Sequence, residues 1–165
     1  MNNFPGRIKS QFKVSHFVPD KTSLVEWDGF DELEKKQAIK FFAGKNSGHL
    51  LAHLRRGEAY FLEEWTVLKL EALIHYARAY FDYLIEQLQS DVPDEEFIFF
   101  LMGALYQMIY IHKGSPFSRA QTDLIKELVH YTLKKSEHNP LFEYFKHDIH
   151  NSAQEFFAEL NKYGD

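Results

Sequence analysis

The chain reads as an all-α protein, a helical bundle of about five to six helices with two long central antiparallel helices and a small irregular or hairpin N-terminal appendage. Three observations predict this. Helix-capping signals recur at the starts of apolar-periodic segments. Two long stretches, 58–89 and 97–111, are apolar well beyond one helix face, as helices surrounded by other helices are. No internal repeat, low-complexity run or linker interrupts 165 residues that are 45% hydrophobic and 26% charged, a composition that suits one helical domain over 1–165 with a real core.

The elements follow in order. Residues 1–30 are expected to be irregular or a short β-hairpin, because "QFKVSHFVPDKTSLVEW" sets two β-prone runs around Pro19-Asp20-Lys21, a turn with Pro at its second position. The bundle is expected over 31–163. Asp31-x-x-Glu34 has capping-box spacing and opens a short amphipathic helix that Gly44 stops. Ser47 is expected to cap "GHLLAHLRR", and Gly57 separates or kinks it from a helix over 58–89 that would span about 48 Å. "SDVPDEE" turns the chain into a very apolar helix from about residue 93, ended by Lys113-Gly114. Ser118-x-x-Gln121 caps the next helix, to about Glu137, and Asn139-Pro140 starts the last.

Composition excludes several chemistries. Zero cysteines rule out disulfides, thiol catalysis and thiolate metal sites. The opening "MNNFPGRIKSQFKV" holds no apolar run of the kind a signal peptide needs, so a soluble, cytoplasmic protein is expected. A net charge of -5 offers no overall basic field for nucleic acid or anionic lipid. Charge is nonetheless asymmetric: Arg7, Lys9, Lys13 and Lys21 outweigh Asp20 early, while acids dominate the last stretch. "FIFFLMGALYQMIYI", residues 97–111, is too short for a bilayer span and contains Gln107. Within it Gly103 would let a neighbouring helix approach closely, or floor a groove for an apolar partner. No phosphate-cradling glycine loop and no G-x-S-x-G elbow occurs.

The stretch 58–89 carries one lane of charge. Glu64, Glu71, His75, Arg78, Asp82 and Glu86 fall within roughly 40° either side of one line at about 100° per residue. If the two long helices form an antiparallel hairpin, Gln107 lies level with His75, given equal rise along both. Glu71, His75, Arg78, Asp82 and Gln107 are therefore the expected ligand- or partner-binding set. Aromatics form 16% of the chain, and a tyrosine-rich cavity beside Arg78 and His75 would suit a small anionic aromatic or acyl ligand.

Metal has only weak candidates. His49-x-x-x-His53 lacks the glutamate of a zinc helix, and Glu127-x-x-His130 is one of the two Glu-x-x-His motifs that a di-metal bundle needs. No metal and no cofactor is expected. With no catalytic constellation complete, the expected function is that of a non-enzymatic binding or regulatory protein acting through protein–protein contacts. The alternatives are a helical enzyme or small-ligand sensor with an internal polar site on 58–89, and a metal-binding bundle. Another protein is the expected partner, a small ligand or a homo-oligomer is possible, and neither nucleic acid nor membrane is expected.

Overall fold

The computed structural model describes residues 3–13, 18–21, 31–58 and 62–164. These residues build eight helices: α1 Phe4–Gln11, α2 Glu32–Phe42, α3 Ser47–Arg55, α4 Leu62–Thr66, α5 Leu70–Gln89, α6 Glu95–His112, α7 Arg119–His138 and α8 Lys146–Lys162. The all-α class holds, with eight helices where five to six were expected.

Two differences account for the extra helices. Residues 4–11, expected as irregular or hairpin, are helical because Phe4, Ile8 and Phe12 recur every four residues and are all buried, while the Asn3 side chain accepts the Gly6 N–H at 3.1 Å. The hairpin runs themselves fall mostly on residues 14–17 and 22–30, outside the described residues. The expected 58–89 helix is broken after Thr66. There the Thr66 hydroxyl donates to the Glu63 carbonyl (2.7 Å), Val67 adds a second β-branched residue, and the Trp65 indole N–H donates to the Leu73 carbonyl (2.9 Å). α5 is therefore 20 residues, about 30 Å.

Capping explains most other boundaries. Asp31 caps α2 through the Leu33 N–H. The cap of α3 is Asn46 rather than Ser47, and His49 completes the capping box from inside the helix. Asp94 accepts the Phe97 N–H at the start of α6, whose C-cap Lys113 takes the left-handed conformation at φ 52°. Ser118 and Gln121 form the expected box at α7. The last helix begins at Lys146, six residues after Pro140, and its N-cap Phe145 offers no side-chain acceptor. Glu95 supplies one instead: its carboxylate accepts the N–H groups of Glu143, Tyr144 and Phe145 at 3.2, 3.1 and 3.0 Å.

Two compact units divide the chain, one of Ile8–Tyr83 and one joining the chain up to Arg7 with the chain from Leu84 onward. In the first, Trp65, Tyr76, Tyr80 and Phe81 are fully buried, with the Trp65 and Tyr80 rings 4.4 Å apart. The Tyr76 hydroxyl points at the carbonyls of Phe42 (2.8 Å) and Lys45 (2.7 Å), so a buried phenol serves the end of α2. In the second unit, α8 packs on α6 and α7. Phe97, Leu101 and Met108 of α6, Leu128 of α7 and Phe156 and Leu160 of α8 are all buried. Among the described residues, no helix is long and apolar enough to cross a membrane.

A candidate binding cleft along α7

α7 buries Leu124, Ile125, Leu128, Val129, Thr132 and Ser136. Off that face stand two four-residue ladders, Lys126-His130-Lys134-His138 and Glu127-Tyr131-Lys135. Beside the C-terminal half of these ladders lies a cleft of about 950 Å³, whose apolar lining includes Phe4, Pro5, Ile85, Tyr131 and Pro140. Its polar lining is Glu127, His130, Lys134, Lys135, His138, Gln89 and Asn139.

The floor is aromatic and the edge cationic. The Phe4 and Tyr131 rings lie 5.1 Å apart, and the Lys135 ammonium sits 5.7 Å over the Tyr131 ring. The Arg7 guanidinium grips Glu127 through two parallel bonds of 2.5 and 2.7 Å. Those bonds hold the Glu127 carboxyl below its ordinary range and raise Arg7. This pairing neutralises Glu127 and, among the described lining residues, leaves Lys134 and Lys135 as the balance of charge. The His130 ring donates from Nδ1 to the Lys126 carbonyl (2.9 Å) and rests 4.4 Å from the Phe157 ring. His138 is exposed, its Nε2 3.9 Å from Glu137.

The expected lane is only partly assembled. Arg78 and Asp82 meet at 3.2 Å with about a quarter of each side chain exposed. His75 is buried, edge-on to the Tyr76 ring at 4.8 Å, and burial pushes its pKa down. Glu71 is exposed, as is Gln107 on α6. Glu64 sits on α4, beyond the break that precedes α5.

The weak metal candidates have other partners. His49 takes part in the α3 capping box, His53 is bonded through Nδ1 to Glu58, Glu127 is held by Arg7, and His130 by Lys126. Arg56 and His53 together hold the Glu58 carboxyl down at about 2. Among the described residues, no group of three or more His, Asp or Glu side chains is placed to hold a metal ion.

The cleft was legible only in part. The four-residue recurrence of Lys and His on 126–138 is visible in the sequence, but the Phe4 and Arg7 side of the site comes from 120 residues away along the chain. No family model, no curated protein and no solved structure matches the chain.

Proposed function

We propose that the protein is a non-enzymatic binding protein acting through protein–protein contacts, and that the cleft along α7 receives an acidic, partly apolar segment of its partner. The observation that carries this reading is the pairing of an aromatic floor, Phe4 and Tyr131, with a cationic edge, Lys134 and Lys135, in one open cleft. An apolar floor supplies affinity by removing a partner's apolar side chains from water. Lysines at the edge supply orientation and encounter rate toward a negative partner, against a chain that is itself net negative. The volume, about 950 Å³, is at the upper end of small-ligand sites and takes several side chains of a docked helix.

A second reading, a small anionic aromatic or acyl ligand, uses the same aromatic and cationic groups. The enzyme or sensor reading centred on Glu71, His75, Arg78, Asp82 and Gln107 draws on the partly buried Arg78–Asp82 pair.

Fluorescence anisotropy separates these readings. A labelled peptide of Glu and Leu at helical spacing is expected to bind, and Lys134→Glu/Lys135→Glu to weaken it about tenfold or more, since reversing two edge charges sets like against like. A Lys/Leu peptide of the same spacing is expected not to bind. Equal binding of the Glu/Leu peptide by the wild type and the double variant overturns the cleft as the contact. Binding of benzoate or dodecanoate without binding of the peptide favours the small-ligand reading.

A further inference from the structure

Glu127, Tyr131 and Lys135 succeed one another along α7 at four-residue steps of about 6 Å each. The Arg7–Glu127 pair therefore lies one turn to one side of the aromatic floor, and Lys135 one turn to the other. On α1, Arg7 follows Phe4 by three residues, and its guanidinium sits 6.0 Å from the Phe4 ring. The pair is open to water: 43% of the Arg7 side chain and 44% of the Glu127 side chain are exposed. An exposed pair of this kind shifts an equilibrium by about fivefold at most. A second carboxylate reaching the same fork meets little resistance, because a guanidinium takes any carboxylate in the same two-bond geometry. Lysines, as hydrated point charges on flexible stems, fix no such direction.

We propose that Arg7 is the anion anchor of the cleft, that Glu127 fills it in the free protein as a stand-in, and that a carboxylate of the acidic partner takes the place of Glu127. That role rests on the cleft receiving an acidic segment, and it adds a spacing to the segment. Arg7 and Lys135 flank the Phe4–Tyr131 floor about 12 Å apart along α7, the length of eight helical residues. The partner helix therefore carries two acids eight residues apart, with a large apolar residue midway that covers the floor. A small monocarboxylate reaches one cation only, whereas a helix with both acids reaches both. Glu127 sets the threshold between them, because every ligand of Arg7 has to displace a carboxylate already bound through both oxygens. Once displaced, Glu127 is near enough to water to be solvated without any movement of α7.

The test is fluorescence anisotropy with a labelled alanine-based helical peptide carrying Glu, Leu and Glu at four-residue steps. Glu127→Gln removes the stand-in and is expected to tighten binding about fivefold or more. Arg7→Lys added to Glu127→Gln keeps the charge and loses the fork, and is expected to return the affinity to the wild-type level or below. Nuclear Overhauser contacts between the Phe4 and Tyr131 rings, 5.1 Å apart, are expected to persist in both variants, which shows that the floor stays in place. A gain in Glu127→Gln that Arg7→Lys leaves untouched overturns the proposal, since net charge alone then acts. Equal or weaker binding by Glu127→Gln, or loss of the ring contacts, also overturns it and assigns the pair to seating Phe4; binding by the wild type that Lys134→Glu/Lys135→Glu weakens would then leave the cleft reading standing. No binding of this peptide or of the Glu/Leu peptide by the wild type or any variant removes both.

Discussion

The hydroxyl of Tyr76 serves two carbonyls at the end of α2, those of Phe42 and Lys45, from a ring with no exposed surface. Tyr76→Phe keeps the packing and removes the donor. The expected cost is about 1 to 3 kcal/mol in urea unfolding, the penalty for stranding buried acceptors, and an unchanged midpoint would show that water replaces the hydroxyl. His75 gives a pH signature. Burial depresses its pKa, so the unfolded chain takes up the proton first as the pH falls, near 6.5. The stability associated with neutral His75 is therefore intact above that pH and lost as the pH drops through the depressed folded value. His75→Gln is expected to flatten the fall in melting temperature between about pH 7 and 5; a slope equal to that of the wild type would contradict this. The residue types at these positions were legible in the sequence, but their duties were not. His49 and His53 stand at a metal-like spacing, and the structure gives one a capping role and the other Glu58.

At the scale of elements, capping chemistry was the readable part. Asp31 and Ser118 stand where the spacing set them, and Lys113 is the C-cap of α6. One failure, the start of α8, comes from a partner distant in sequence. Asn139-Pro140 is a sound helix start by local rules, yet the segment through Phe145 stays non-helical and Glu95, about 50 residues earlier, takes up its N–H groups. Glu95→Ala is expected to lower stability by roughly 1 to 2 kcal/mol, as charge-assisted bonds to backbone donors are lost. It should also speed amide exchange at Tyr144 and Phe145, just before α8, more than within α8 itself. Unchanged exchange at Tyr144 and Phe145 in the variant would remove Glu95 from that role. The break between α4 and α5 is instead local, made by the Thr66 hydroxyl on the Glu63 carbonyl and the Trp65 indole on the Leu73 carbonyl. A count of apolar positions over 58–89 cannot see those bonds.

For the whole molecule, composition and patterning were enough for the all-α class, because helix periodicity and caps are local properties, whereas the cleft requires two chain segments to meet. Lys134 and Lys135 were visible as charges; that Phe4 completes their floor was not. Chelation is expected to leave the melting temperature unchanged, since each metal-like pair has a protein partner. A fall of several degrees in EDTA, restored by zinc, would reveal a metal that supports the fold. The Arg7–Glu127 bond, spanning 120 residues, also has a kinetic meaning. Closing a loop of that length costs entropy before any contact repays it, so the Phe4–Arg7 segment is expected to seat itself after the rate-limiting barrier. Loss of the bond in Arg7→Ala would then show in the unfolding arm of a chevron and leave the refolding arm in place. The same segment would be the first to detach from the native protein, baring Tyr131 while α7 still stands.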